Sequence, residues 1–278
     1  MSSDLEENNI IEKKGWKTWG AAGGIAGALW VALKFAGKWL LLLGKPLLTF
    51  LKVSKFAGTF ISMIATIAIY AMVYGWKFAI GLVLLIAIHE MGHVMGARAV
   101  GMPTSMPMFI PFVGAFVQMK RESRSPVEEY VLATGGPLFG ILAGIACLAL
   151  YGLTDWMLWM VLANVSFTIN LFNLIPFGSL DGGRMTSTLG KWPWIVGAIV
   201  FGLFTAVTMN PMMLLFFLLG MMQVVRAFRN PDALAAVQAT GSMRWIYGGV
   251  YLLMVTLCGW LTAYSHQQLP PVWNYQLL

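Results

Sequence analysis

Long apolar stretches separated by short polar segments make up most of the chain from residue 56 onward. A membrane-crossing helix needs about 20 apolar residues to cover a hydrocarbon core of about 30 Å. We predict membrane helices over residues 56–75, 77–98, 130–152, 157–177, 193–209, 212–228 and 245–264. The pair over 193–228 is short and is interrupted by the Asn210-Pro211 dipeptide. The pattern therefore predicts six to seven spans.

The first 55 residues have a different pattern, in which small or apolar residues alternate with lysines. Lys34 and Lys38 are four residues apart, which favours a basic amphipathic helix that lies in the headgroup region. A tilted span over residues 21–43 is the alternative. It would bring both lysines into or near the lipid, which costs free energy.

The segment between the second and third predicted spans, residues 102–120, is apolar but too short and too rich in proline for a crossing helix. Its centre, FVGAF at residues 112–116, favours a tight turn between two short strands. Non-helical backbone is tolerated at membrane depth only where it faces protein or a water-filled cavity. We therefore predict a re-entrant β-hairpin over residues 103–119 in an otherwise all-α polytopic membrane protein.

Composition supports a membrane protein, because 59% of the 278 residues are hydrophobic, 10% are charged and the mean hydropathy is +0.75. Soluble domains have about 25% charged residues. The net charge of +7 comes from basic residues that flank apolar stretches, which indicates contact with lipid and not with nucleic acid. Cys147 and Cys258 both lie within apolar stretches, so a disulfide framework is not expected.

The distribution of basic residues also predicts an orientation. With seven spans, every lysine and arginine except Lys77 falls on one side of the membrane. The positive-inside rule then places the N-terminus and the loops after spans two, four and six in the cytoplasm. We expect a multi-pass integral membrane protein, of the inner or plasma membrane if the source is bacterial.

Two of the three histidines lie in the second predicted span, in the sequence HEMGH at residues 89–93. Helix positions i and i+4 share one face, so His89 and His93 can bind one metal ion. Glu90 lies about 100° round the helix from His89, where it is placed to act as a general base. The usual metal of this H-E-x-x-H pattern is zinc. Ionisable groups inside a span cost free energy, which favours a functional site over a pair of core histidines.

Asp181 is the candidate for a third ligand among the eleven acidic residues, most of which lie in tails or connecting loops. It follows the fourth predicted span, on the side of the membrane where the histidine pair is expected. A catalytic zinc ion takes three protein ligands and a water molecule, and two histidines with a carboxylate are a common set. A helix N-cap is the alternative role for Asp181.

Together these motifs resemble the site-2 proteases, a family of intramembrane zinc metalloproteases. HEMGH is accompanied by the pattern N-x-x-P-x-x-x-L-D-G-G over residues 173–183, and GGPLFG at residues 135–140 resembles a Gly-Pro segment of the family. The resemblance implies that one zinc ion is bound by His89, His93 and Asp181. It implies that Glu90 is the general base and that Asn173 holds the substrate carbonyl or oxyanion.

The resemblance further implies that the hairpin binds a locally unwound substrate. We expect substrate contacts from residues of the hairpin and of the Gly-Pro segment, namely Gly114, Phe116, Gly136, Pro137 and Gly140. The substrate would be a membrane-anchored, single-pass protein that is cleaved in regulated intramembrane proteolysis. The sequence leaves the oligomeric state open.

The predicted organisation has three parts: a cytoplasmic tail with the basic segment over residues 1–55, a catalytic membrane core over 56–191, and C-terminal helices over 192–278. Neither a PDZ nor a CBS domain fits. One alternative is a different membrane zincin with a later glutamate as third ligand, but no glutamate follows Glu129. The other is a non-catalytic metal-binding scaffold or a transporter. The gathering of ionisable groups at one depth and the presence of Glu90 beside the ligands favour the protease.

Overall fold

The computed structural model describes residues 57–230 and 235–270. The predicted amphipathic segment with Lys34 and Lys38 lies outside the described residues. The described residues form helices and one two-stranded sheet, in the order α1 (Ala57–Tyr74), α2 (Trp76–Ala99), β1 (Met108–Ile110), β2 (Gly114–Phe116), α3 (Pro126–Thr154), α4 (Met157–Asn173), α5 (Asp181–Ser187), α6 (Trp192–Thr208), α7 (Pro211–Arg229) and α8 (Gly241–Gln267).

Each of the seven apolar stretches forms a helix whose ends lie within four residues of the predicted ones. Among the described residues, five helices are long and apolar enough to cross a membrane: α1, α2, α3, α7 and α8. The helices α4 and α6 are apolar but have 17 residues each. The multi-pass class is thus confirmed. The count of six to seven spans and the predicted orientation stay predictions.

Helix α4 ends four residues earlier than the predicted span, at Asn173. Pro176 explains the difference, because proline has no N–H to donate and disfavours a helical conformation at the residue before it. The chain then turns through residues 174–180, with Gly178 at a φ of 55°, which favours glycine. These turns lead directly into α5, which begins at Asp181.

The predicted hairpin is present. Strands β1 and β2 pair antiparallel, with Phe109 opposite Ala115, and an isolated bridge joins Thr104 and Met119. Helix α1 covers the outer edge of β1. There the N–H of Phe109 donates a hydrogen bond of 3.2 Å to the Oγ of Ser62 in α1. Among the described residues β2 pairs with β1 alone. Its other edge pairs with no further strand in the part of the chain that the structure describes.

Glycines bring α2 and α3 into backbone contact. A Cβ atom on Gly92 would overlap the carbonyl group of Gly135, and a Cβ on Gly135 would overlap that of Gly92. One turn further along, a Cβ on Gly96 would lie 2.7 Å from the carbonyl oxygen of Val131. Small residues at helix interfaces allow this close approach inside membranes. Helix α3 in turn packs on α4, and the buried core between them includes Phe167.

Candidate metal centre

The two histidines lie on one buried face of α2, with their Nε2 atoms 3.2 Å apart. Asp181 is the first residue of α5 and faces them. Its Oδ2 is 3.1 Å from the Nε2 of His89, and its Oδ1 is 3.2 Å from the Nε2 of His93. The structure thus brings together the three predicted ligands, which lie far apart in the chain.

The three donor atoms fit a zinc ion. They lie within 4.8 Å of one another. In the part of the chain that the structure describes, these are the histidine, cysteine and carboxylate side chains close enough together to hold a metal ion. A tetrahedron with ligand bonds of about 2.0 Å has edges of about 3.3 Å, close to the measured separations. Two imidazoles and a carboxylate also match the ligand types that zinc prefers. The predicted zinc site is therefore supported by its geometry as well as by its motif.

The backbone of α3 determines the orientation of His93. The Nδ1 of His93 donates to the carbonyl oxygen of Leu132 at 2.9 Å. A carbonyl oxygen can only accept, so Nδ1 carries the proton and the neutral ring presents the lone pair of Nε2 to the site. Hydrogen bonds of this kind hold metal-binding histidines in one tautomer and one orientation.

Asp181 is positioned by the two glycines that follow it. A Cβ on Gly182 would overlap the carbonyl of Leu174, and a Cβ on Gly183 would overlap that of Gly178. Only glycine allows α5 to pack directly on the preceding turns. The Tyr251 hydroxyl of α8 donates to the same Leu174 carbonyl at 2.8 Å and holds the turn in place. Asp181 is thus the first residue of a helix and not its N-cap.

Arg184 ties α5 to the first turn of α3. Its Nε and Nη2 atoms donate to the two carboxylate oxygens of Glu129, at 2.7 and 3.1 Å. Burial lowers the pKa of the Arg184 guanidinium, but the Glu129 carboxylate outweighs this effect and keeps that pKa above its usual value. Glu128 forms a similar two-atom pair with Arg121. Both glutamates are therefore engaged by arginines, which argues against a later glutamate as the third zinc ligand.

A cavity of about 420 Å³ lies beside the donor atoms. The histidines, Glu90 and Asp181 line one side, residues 112–117 of the hairpin line the other, and Asn173 also contributes. Two of the predicted substrate-binding residues, Gly114 and Phe116, therefore lie at the cavity.

The other three predicted substrate-binding residues, Gly136, Pro137 and Gly140, lie buried in α3. A Cβ on Gly136 would overlap His93 and would lie 2.7 Å from the Nε2 of His89. A Cβ on Gly140 would overlap the side chain of Asn170. The two glycines make room for these side chains, while contact of Gly136, Pro137 and Gly140 with substrate stays a prediction.

Sequence reasoning missed two residues of the site. Arg184 follows Asp181 by three residues, and a basic residue beside the proposed ligand was the available signal. Asn170 lies in an apolar stretch one helical turn before Asn173, and its Oδ1 is 2.8 Å from the Nδ1 of His89. The available signal was a polar amide within an apolar stretch, which the neighbouring motif at Asn173 obscured.

Comparisons with known proteins find similarities to a family model, to a curated relative and to a solved structure. Residues 77–156 match the model of peptidase family M50. The chain is 32% identical over 130 residues to a protein of Mycobacterium tuberculosis, found in strains Erdman and H37Rv, whose name is "Putative zinc metalloprotease Rip3". That match covers 41% of this chain and 32% of the relative, so the chain spans about a third of the length of the curated relative it matches.

Among solved structures, the chain is similar to the Site-2 Protease from Methanocaldococcus jannaschii, with a TM-score of 0.42 and 20% sequence identity. The match covers 66% of this chain and 89% of that chain. The family match contains His89, Glu90 and His93 and ends before Asp181. It confirms, over residues 77–156, the resemblance predicted from the sequence motifs.

Proposed function

We propose that the chain is a zinc-dependent intramembrane endopeptidase of the site-2 type. Its substrate would be a membrane-anchored protein, cleaved in or next to a membrane segment. The observation that carries the proposal is the convergence of His89, His93 and Asp181 on one buried donor set, beside a cavity that Glu90 also lines. We further propose one zinc ion per chain and a catalytic core over residues 56–191.

The side chains around the cavity suit peptide hydrolysis. A bound zinc ion supplies a Lewis acid that polarises a carbonyl and lowers the pKa of water to about 7. Glu90 accepts the proton of the attacking water and later donates it to the nitrogen of the leaving amine. Asn173 lines the same cavity, where its side-chain amide donates to the oxyanion that develops on the substrate carbonyl.

The free edge of β2 is the proposed site of substrate binding. A helical substrate hides its carbonyl groups in intrahelical hydrogen bonds, so it must be extended before hydrolysis. Because Phe109 gives its N–H to Ser62, the pair of Phe109 and Ala115 is of the non-hydrogen-bonded type. The N–H and C=O of Ala115 therefore point away from β1, and an added substrate strand would pair with them.

We also propose a cytoplasmic N-terminus and a metal centre that lies towards the cytoplasmic leaflet. The support for this orientation is the distribution of basic residues, since only Lys77 falls on the opposite side. A single-pass regulatory protein would then reach the site from within the bilayer.

The Glu90→Gln variant tests this proposal. Purified wild-type and variant proteins are reconstituted into vesicles with a membrane-anchored reporter, and cleavage and zinc content are both measured. We expect Glu90→Gln to retain zinc and to lose about 100-fold to 10,000-fold in cleavage rate, the range for removal of a general base. Glu122→Gln, the same change at an exposed residue of the loop before α3, is the control and should cleave normally.

Full cleavage by Glu90→Gln would contradict the protease assignment. A wild-type protein that binds zinc but cleaves no membrane-anchored protein would favour the metal-binding scaffold instead. Comparison of protein termini in membranes with wild-type protein and with Glu90→Gln would then identify the substrates, as membrane proteins that accumulate uncut in the variant.

A further inference from the structure

The side chain of Asn170 is held in one orientation on α4. It is 2% exposed, and its Nδ2 donates to the carbonyl oxygen of Ser166, one turn earlier, at 2.7 Å. The carbonyl oxygen can only accept, so the amide nitrogen must face Ser166. The amide oxygen of Asn170 must therefore face the other way, towards His89.

This orientation selects one tautomer of His89. The Oδ1 of Asn170 is 2.8 Å from the Nδ1 of His89, and an amide oxygen can only accept a hydrogen bond. The proton of the neutral ring therefore lies on Nδ1. The lone pair of Nε2 then faces the metal centre, where Nε2 is 3.1 Å from the Oδ2 of Asp181.

Two neighbours hold Asn170 in place. The hydroxyl of Ser166 donates to the carbonyl oxygen of Gly140 at 2.9 Å and so ties α4 to α3. The side chain of Asn170 lies where a Cβ on Gly140 would be. Gly140 thus leaves the space that the amide occupies, and Ser166 directs the amide. Asn170, Ser166 and Gly140 form one connected support behind His89.

The two histidines differ in the origin of this support. His93 donates to a backbone carbonyl, that of Leu132, which no side-chain substitution removes. His89 depends on the side chain of Asn170, which a substitution does remove. The orientation of one ligand can therefore be changed without altering any proposed ligand or Glu90.

We propose that Asn170 is a positioning residue that sets the tautomer and orientation of His89 for metal binding. This inference rests on the proposed zinc site. Loss of a hydrogen-bond partner of a metal-binding histidine typically weakens metal affinity by about 10-fold to 100-fold. The prediction is thus a weaker zinc affinity, which can be measured without any substrate.

Three variants test the proposal: Asn170→Leu removes the acceptor, Asn170→Asp keeps an acceptor oxygen, and Asn164→Leu is the matched control. Asn164 is a buried asparagine of the same helix, and its Nδ2 donates to the Ser265 hydroxyl at 3.0 Å and to the Thr262 carbonyl at 3.2 Å, both in α8. The zinc Kd is measured by competition with a chelator, and the coordination by the visible spectrum of the Co²⁺-loaded protein.

We expect Asn170→Leu to raise the zinc Kd by about 10-fold to 100-fold and to change the Co²⁺ spectrum. Asn170→Asp should lose less zinc affinity than Asn170→Leu, because one carboxyl oxygen still accepts the hydrogen bond from Nδ1, although the other oxygen can donate to the Ser166 carbonyl only when it is protonated. Asn164→Leu should leave both measurements unchanged.

The outcomes separate this proposal from the one it rests on. A wild-type protein without zinc affinity overturns the zinc site and the role of Asn170 together. Wild-type affinity in Asn170→Leu overturns the role of Asn170 alone, as does an equal loss in Asn170→Leu and Asn164→Leu. If Asn170→Leu does not fold, Asn170→Ala takes its place, and wild-type zinc affinity in folded Asn170→Ala contradicts the proposal.

Discussion

The two sides of the cavity are built in opposite ways. On the side of the proposed ligands, helices α2 and α3 touch backbone to backbone at Gly92 and Gly135, and His89, His93 and Asp181 are all buried. On the hairpin side, Phe112 and Phe116 are 57% and 47% exposed, and one edge of β2 is unpaired among the described residues. Close packing preserves ligand geometry, whereas an open edge can accept a changing partner.

This difference predicts a separation of effects. Substitutions on the ligand side should change metal affinity and cleavage together. Substitutions on the hairpin side should change cleavage and leave metal affinity as it is. Three substitutions, Asp181→Ala, Gly136→Ala and Ala115→Pro, test that separation.

Removal of a proposed ligand should have the largest effect. Asp181→Ala leaves two imidazoles where zinc needs three protein ligands, so we expect zinc affinity to fall by more than about 100-fold and cleavage to become undetectable. Zinc content after dialysis and cleavage of the reporter measure both effects. Asp155→Asn is the control, because Asp155 is an exposed residue at the other end of α3. An Asp181→Ala protein that retains stoichiometric zinc would remove Asp181 from the ligand set.

A methyl group behind the ligands should have an intermediate effect. The Cβ of Gly136→Ala would overlap His93, and relief of such overpacking costs about 1 to 3 kcal/mol. We expect the zinc Kd to rise by about 5-fold to 100-fold, with a parallel loss of cleavage at limiting zinc. Gly249→Ala in α8 is matched to it, because no atom lies within 4 Å of the added Cβ. Equal zinc affinities for the two variants would show that α3 does not constrain the ligands.

Loss of one hydrogen bond at the hairpin edge should have the smallest effect. Ala115→Pro removes the N–H that points away from β1, and proline is tolerated in an edge strand at such a position. We expect kcat/KM to fall by about 2-fold to 10-fold, because a single hydrogen bond is worth about 0.5 to 1.5 kcal/mol. The zinc Kd should not change. Ala115→Val keeps the N–H and serves as the control.

A lower zinc affinity in Ala115→Pro would show that the two sides of the cavity are not independent. Unchanged kcat/KM in the same variant would place the substrate strand elsewhere. The two measurements on one protein therefore test the separation and the binding edge at once.

The sequence predicted the helices and the three proposed ligands because both depend on short patterns. Apolar stretches of membrane-spanning length reveal helices, and HEMGH places two imidazoles on one helical face. Asp181 could be identified because few acidic residues lie beside an apolar span. The hairpin was predicted because its prolines exclude a helix and glycine favours a turn.

The rest depends on contacts between segments that are distant in the chain. The pairing of Arg184 with Glu129 and that of Asn170 with His89 follow from how α3, α4 and α5 pack, which no local pattern encodes. The proximity of Gly140 to the Asn170 side chain likewise depends on how α3 and α4 pack, while its contact with substrate stays a prediction.

Removing and restoring zinc tests whether the chain is a zinc-dependent intramembrane endopeptidase. Wild-type protein in vesicles is stripped with a chelator, zinc is added back in steps, and mass spectrometry follows cleavage of the membrane-anchored reporter. We expect no cleavage after stripping, recovery that saturates at one zinc ion per chain, and a cut in or next to the membrane segment. Cleavage that continues in the stripped wild-type protein would contradict this proposal. Equal cleavage by the zinc-loaded Glu90→Gln variant and the zinc-loaded wild-type protein would contradict it as well.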